Sequence, residues 1–216
     1  MPVIKRANVD KSTLLDPNAS VWNQAEATTL SLQPTPVGMQ PSEYITSTVK
    51  QSEVGAIGQV EVRALTNGTR LFFRLSWNDP TQNADSDEAD RFADGAAILF
   101  PFLDDAPIVT MGNEGQPVNQ WHWRADFSTP FNVTTAGLGT TYRTPESFVE
   151  AQAHWANERW AVVLARPLET SDPDNHVPFS ADRPLKAAFC VWDGEGQERA
   201  GLKSYTPSWT EFTWEA

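Results

Sequence analysis

A single cysteine, Cys190, in 216 residues excludes several kinds of chemistry at once. No intrachain disulfide can form. A Cys-x-x-Cys-His attachment for a c-type haem, a four-thiolate iron–sulfur cluster and a cysteine-rich zinc site are equally ruled out within the chain. Cys190 lies in the apolar run Ala187-Ala188-Phe189-Cys190-Val191-Trp192, where a thiol serves as a small buried hydrophobe. Positive charge is also scarce. Sixteen Lys and Arg stand against 28 Asp and Glu, a net charge of −12. That excludes recognition of nucleic-acid phosphates, which needs clustered cations, and docking on anionic lipid. No stretch approaches the length of a transmembrane helix. Met1 to Asn8 carries Lys5 and Arg6 but no apolar core of a signal peptide. Taken alone, the chain is expected to be cytoplasmic or exported by some other means. The three histidines, His122, His154 and His176, are scattered. No H-E-x-x-H motif, P-loop or strand-linked G-x-G-x-x-G occurs, so hydrolytic and nucleotide-binding functions are unsupported.

What is present favours sheet. Hydrophobic residues make up 40% of the chain, enough for a sizeable core, and nine Trp with eleven Phe suit pleated, half-buried surfaces. Val60, Val62 and Ala64 alternate with Glu61, Arg63 and Leu65. Leu71, Phe73, Leu75 and Trp77 alternate with Arg70, Phe72, Arg74 and Ser76. This period of two predicts a hairpin over Gln59 to Trp77, with Asn67-Gly68 as a type I′ turn. Further strands are predicted at Thr28 to Leu32, Ala96 to Phe100, Trp121 to Phe127, Phe148 to Trp155, Trp160 to Arg166, Lys186 to Trp192 and Thr210 to Trp214, with Ala156 to Arg159 turning a second hairpin. The expected architecture is all-β: an antiparallel sandwich with little helix, forming one domain over residues 1–216. Three long irregular segments interrupt it: acidic Asn78 to Asp94, Gly- and Pro-containing Asp104 to Asn119, and Asp172 to Pro184. Long loops in a compact fold are where function concentrates.

The run Asp85-Ser86-Asp87-Glu88-Ala89-Asp90 lacks the glycine and glutamate of an EF-hand loop, so it is expected to be a solvated acidic loop. Three Asn-x-Ser/Thr sequences carry no weight, being short enough to arise by chance. Val109-Thr110-Met111-Gly112 opens a Gly-containing loop that leads into Trp121-His122-Trp123. Composition alone makes Met111 a cover for a core edge. Arg199-Ala200-Gly201-Leu202-Lys203-Ser204 precedes the last strand, and composition alone makes Lys203 an exposed lysine.

Together these two segments resemble the haem-binding γ subunit of the ethylbenzene dehydrogenase family, with related subunits in dimethylsulfide dehydrogenase and in chlorate and selenate reductases. The resemblance runs in order along nearly the whole chain: Leu14-Leu15-Asp16 ahead of Trp22, Ala25 and Thr28-Thr29, Pro34-Thr35-Pro36, the hairpin ending in Trp77, Phe92-Ala93-Asp94-Gly95 with Phe100-Pro101, and Lys186 to Trp192. It is weakest over Asp172 to Pro184. It implies one b-type haem whose iron is held by Met111, in the Thr-Met-Gly context, and Lys203, in the Arg-x-Gly-x-Lys-Ser context. Asn119, Trp121, Trp123, Trp192 and Ser204 are the expected pocket residues. The two ligands are expected on loops at one end of the sandwich. The choice suits electron transfer: a thioether is a soft donor that favours the reduced metal, and a lysine ligates only as the neutral amine, which burial favours.

The resemblance also implies a non-catalytic subunit. Its partners would be a catalytic α subunit with a molybdenum bis-pterin cofactor, an iron–sulfur β subunit and a soluble cytochrome-type electron partner. Periplasmic residence is expected, with export on a signal-bearing partner; the alternative is cytoplasmic. Two other readings stand beside this one. A carbohydrate-binding sandwich module would use exposed tryptophans as sugar platforms and hold no haem. A cytochrome-type sandwich would pair methionine with one of the histidines instead of Lys203.

Overall fold

The computed structural model describes residues 1–215. In chain order the elements are β1 (Val3–Arg6), α1 (Lys11–Leu15), β2 (Thr28–Ser31), β3 (Gln33–Pro34), α2 (Glu43–Thr48), β4 (Gln59–Thr66), β5 (Arg70–Asn78), β6 (Gly95–Pro101), β7 (Val118–Arg124), β8 (Phe131–Thr135), β9 (Tyr142–Arg143), β10 (Glu150–Trp155), β11 (Arg159–Pro167), β12 (Leu185–Trp192), β13 (Ser204–Tyr205) and β14 (Thr210–Trp214). The pairing path runs β10-β11-β5-β4-β1-β14-β12-β6-β7-β8-β9, with β2 on β4 and β13 between β12 and β3.

This is the expected all-β sandwich with two short helices. One face is built from β2, β4, β5, β11 and β10, the other from β12, β6, β7, β8 and β9. Strand β1 joins them, and it escapes sequence patterning because only four residues carry it. Val3 and Ile4 pair in parallel with Thr213 and Trp214, then Lys5 and Arg6 pair in parallel with Leu65 and Thr66. A strand that leaves one sheet for the other makes a corner of the sandwich. These two parallel ladders are the exception to the expected antiparallel pairing.

The turns differ from expectation in an informative way. The β4–β5 hairpin has Thr66 and Leu71 as its last pair. Only Gly68 adopts a left-handed backbone there (φ 90°). Asn67 instead turns its side chain inward, its Oδ1 accepting from Thr69 N at 3.1 Å and Arg70 N at 2.9 Å. A type I′ turn needs both central residues left-handed, and that geometry belongs to the second hairpin, at Asn157 (φ 52°) and Glu158 (φ 57°). There Ala156 N donates to Arg159 O at 3.1 Å.

Period-two alternation sends Val60, Val62, Leu71, Phe73, Leu75, Val162 and Leu164 of one sheet against Ile98, Phe100, Trp121, Trp123, Phe189 and Val191 of the other. The outer face of the first sheet is apolar too, at Leu65, Phe72, Val163 and Ala165, and α1 covers it with Leu14 beside Val21 and Trp22. Asp10 caps α1 by accepting from Thr13 N at 2.8 Å. The segment Asp172 to Pro184 is not a free loop. Val177 and Phe179 enter the core. Buried Arg166 donates Nη2 to Val177 O at 2.5 Å and lies 4.3 Å from the Phe179 ring. His176, wholly buried, reaches the carbonyls of Asp172 and Ser147 at 3.0 and 3.3 Å.

Phe73 sits at the centre, with Phe100, Trp121, Phe189 and Phe212 rings 5.2 to 6.4 Å away. Phe73→Ala is expected to cost about 3–5 kcal/mol, because both sheets lose their shared contact and the cavity cannot collapse. Urea unfolding checks this, and a loss under about 1 kcal/mol would contradict a single shared core.

Candidate cofactor site

The second sheet also turns residues outward, and here the alternation builds a site. Ala97, Ala188 and Cys190 lie on that outer face with Leu99, Trp192 and Tyr205. Gly95, Gln120, His122, Arg124 and Val133 continue it. Small side chains on β6 and β12 leave room above the sheet. At Gly95 an added Cβ would lie 3.5 Å from the Trp192 ring and 3.7 Å from His122 Nε2. The space holds those two rings stacked at 4.7 Å and 13°. Over this floor opens a cavity of about 810 Å³ that Met111 and Lys203 both line, within the roughly 300–1,000 Å³ range of small-molecule and cofactor sites.

Met111 is set by backbone strain. Its φ is 56°, a left-handed conformation that non-glycine residues seldom adopt, and Gly112 follows at 85°. Met111 N donates to Ile108 O at 2.9 Å and Gly112 N to Pro107 O at 2.8 Å. The Met111 carbonyl accepts from Thr135 Oγ1 at 2.6 Å and Gly137 N at 3.3 Å. A Cβ at residue 112 would stand 2.6 Å from Gln116 O. The Thr-Met-Gly sequence therefore has a structural cause: glycine permits the tight loop, and the loop aims the methionine.

Lys203 is set by ladders on both sides. Ser204 pairs with Val191 of β12 and with Pro34 of β3. Thr35 N donates to Lys203 O at 2.9 Å, and Lys203 N donates to Thr35 Oγ1 at 3.1 Å. The side chain is buried, not exposed as composition alone suggests. Its Nζ lies 3.2 Å from Met111 Sδ and 5.0 Å from the Trp192 ring centre. No carboxylate lies within ion-pair distance of it among the described residues. Burial lowers the Lys203 pKa from the ordinary lysine value, with Cys190 and Glu198 opposing. Burial likewise pushes the Cys190 thiol up to about 11, which keeps it an inert apolar group. Burial and the Lys203 charge hold His122 in its neutral form.

A buried amine whose only hydrogen-bonding partner among the described residues is a thioether is poorly satisfied, since sulfur is a weak acceptor. A soft sulfur donor and an amine driven towards neutrality are the donor set of a transition-metal centre. This donor set suits a haem iron, which Met111 and Lys203 would hold, and the mostly apolar lining suits the body of such a group.

Of the sequence-predicted pocket residues, Trp192 lies on the cavity wall, while Asn119, Trp121, Trp123 and Ser204 do not line it. Trp121 and Trp123 share the inward face of β7 and pack among Phe100, Phe179, Trp77 and Trp160. Asn119 is buried between Asn132 and Val177 N. Ser204 is buried, and its hydroxyl has no hydrogen-bond partner among the described residues. The opposite face of β7, Gln120, His122 and Arg124, is the one that meets the cavity. Nor do Met111 and Lys203 sit at an end of the sandwich: they come from loops that fold over the outer face of one sheet. None of the nine tryptophans is exposed, and Trp155, Trp209 and Trp214 are half-buried.

The rim is held by buried acids. Asp79 and Asp94 bound the acidic loop, and with Asp193 they bring one oxygen each within 4.8 Å of the others. Asp94 accepts from Gly194 N, Asn83 N and Trp160 Nε1 at 2.8 to 2.9 Å. The loop centre, whose Glu88 and Ala89 line the cavity mouth, is solvated as expected; the structural acids are its ends.

These features define a class, a β-sandwich with a cofactor cavity laid against the outside of one sheet, walled by a strained methionine and a buried lysine. The ethylbenzene dehydrogenase family model matches residues 19–147 and 134–204, spans that include both Met111 and Lys203. The chain is 33% identical over 208 residues to the chlorate reductase subunit gamma of Ideonella dechloratans, covering 96% of this chain and 82% of that one. It is 34% identical over 197 residues to a Haloferax mediterranei protein assigned as a respiratory nitrate reductase haem subunit, covering 91% and 67%. A solved Bacteroides uniformis protein assigned to carbohydrate binding shares the fold at a TM-score of 0.53 and 13% identity, over 100% of this chain and 98% of that one. The chain belongs to the ethylbenzene dehydrogenase family and is of its gamma-subunit type.

Gly112→Ala is expected to displace the Met111 loop and cost about 2 kcal/mol, the scale of local backbone strain; an unchanged urea midpoint would show that the loop yields without strain. Asp94 gives a pH prediction. Burial, with Asp79 adding repulsion, pushes it up to about 7 from 3.8. Its contribution to stability is therefore full below about pH 4 and lost as pH climbs through about 7, on the order of 4 kcal/mol at most. Urea midpoints measured from pH 4 to 8 are expected to fall in this window and to flatten in Asp94→Asn. An equal slope in the variant would assign the fall to other groups.

Proposed function

We propose that this chain holds one b-type haem between Met111 and Lys203 and relays electrons as the non-catalytic subunit of a multi-subunit molybdenum oxidoreductase. The observation that carries the reading is the buried Lys203 amine, 3.2 Å from the Met111 sulfur on the wall of a large, mostly apolar cavity. Membership of a family whose relatives are named as gamma and haem subunits supports it.

Haem, when bound, supplies a one-electron iron couple. The chain's own residues set the conditions for it. Met111 offers a soft donor that favours the reduced metal. Lys203 must give up its proton to ligate, and burial lowers the cost of doing so. Together the two residues would leave the metal no position for a substrate. The Trp192–His122 stack and the small residues of β6 and β12 shape the floor of the cavity. The wider proposal includes a catalytic α subunit with a molybdenum bis-pterin cofactor, an iron–sulfur β subunit, a soluble cytochrome-type electron partner and periplasmic residence. Among the described residues no helix is long and apolar enough to cross a membrane.

Visible spectra of the purified chain, oxidised and reduced, with a pyridine haemochrome assay, test the reading. A low-spin b-type spectrum is expected, lost or converted to high spin in both Met111→Ala and Lys203→Ala and kept in His122→Ala. Loss of the low-spin form in His122→Ala but not in Lys203→Ala would move the second ligand to histidine. A colourless chain that takes up no added haem would overturn the function altogether.

A further inference from the structure

Three arginines line the cavity: Arg91, Arg124 and Arg199. Two already face carboxylates. Arg124 donates Nε and Nη2 to Asp126 at 3.0 and 2.6 Å. Arg91 stands 3.7 Å from Asp85 and 3.4 Å from Glu88. Arg199 differs. No carboxylate lies within ion-pair distance of it among the described residues, although the chain carries 28 acidic side chains against sixteen basic ones. Its guanidinium is nonetheless fixed in place. Nη1 donates to Gln197 O at 2.7 Å, and the guanidinium carbon lies 4.3 Å from the centre of the Phe92 ring, another cavity residue. Nε and Nη2 make no hydrogen bond among the described residues. That edge is the two-donor fork that matches a carboxylate bidentately.

The segment that carries Arg199 is the one that carries Lys203, and it is braced as a unit. Leu202 N donates to Arg199 O at 2.8 Å, and the Trp192 indole donates to Ala200 O at 3.1 Å. Ala200 takes a left-handed backbone, φ 49°, where the segment turns. An amine and an unspent guanidinium are therefore presented to one cavity from positions four residues apart.

We infer that Arg199 is the carboxylate receptor of this cavity and pairs with a carboxylate on the bound group. Resting on the function proposed above, that carboxylate is a haem propionate. The pairing has a positional consequence. Two ligands on a single axis do not fix rotation about that axis, whereas a third contact away from it does. Arg199 thus selects the orientation of the group as well as adding affinity.

The test uses the full chain freed of haem, titrated at neutral pH with ferric protohaem and, separately, with its dimethyl ester, uptake being followed by absorbance. The wild type is expected to bind the diacid at least about tenfold more tightly than the ester, the scale of one charge-assisted pair. Arg199→Leu is expected to lose about tenfold or more for the diacid, with little change for the ester, which abolishes the preference. Arg199→Lys is expected to restore part of it. Because the ester is measured on the same variant, a general loss of folding would weaken both ligands and be seen as such. An unchanged preference in Arg199→Leu, or equal loss for both ligands there and in Arg199→Lys, would overturn the assignment while leaving the haem reading intact. A wild-type chain that takes up neither form would overturn the haem reading and the assignment with it.

Discussion

A lysine amine held in the protein interior against a methionine sulfur is the constraint on which the site depends. An ammonium in apolar surroundings costs several kcal/mol unless it is paired or neutralised, and among the described residues Lys203 has no carboxylate within ion-pair distance. Much of the surrounding structure holds this unfavourable contact in place. The left-handed Met111, the glycine after it, Thr135 beneath its carbonyl and the Thr35 bonds on both sides of Lys203 all serve one juxtaposition. Strain and burial at one point, supported by ordinary ladders elsewhere, are the usual sign of a functional site.

The sandwich core and the site use opposite faces of the same strands. On β7, Trp121 and Trp123 bind the two sheets together, while Gln120, His122 and Arg124 face the cavity. On β12, Phe189 and Val191 pack inward, while Ala188, Cys190 and Trp192 face out. This division lets the outer surface take small and polar residues without weakening the core. It also explains why a fold shared with a protein assigned to sugar binding can carry a different site, since fold alone does not specify function.

Charge is distributed with the same economy. The net charge of −12 lies mostly on solvated loops, whereas three aspartates are buried to pin both ends of the acidic segment near the cavity mouth. Within the cavity, Arg124 and Arg91 face acids, and Arg199 is stacked on an aromatic ring instead. A guanidinium without an acid beside it among the described residues, in so acidic a chain, suits a negative group from outside the chain.

By itself the sequence determined the fold class and most strands, because period-two alternation survives in any register and the longer strands between Gln59 and Trp214 show it. Resemblance to the family, rather than composition, singled out Met111 and Lys203, and the Thr-Met-Gly context of the first has a local cause, as Gly112 shows. The sequence did not reveal β1, β3, β8, β9 or β13, of two to five residues each, since so short a strand has little pattern of its own and forms where longer neighbours supply its partners. Which face of β7 meets the cavity was likewise settled only in three dimensions. Alternation states that Trp121 and His122 point opposite ways, but it is symmetric between the two sides. Only the packing of the first sheet against one side, and of the Met111 and Lys203 loops against the other, broke that symmetry. Those contacts join residues as distant as Met111 and Lys203, and no local pattern encodes their meeting.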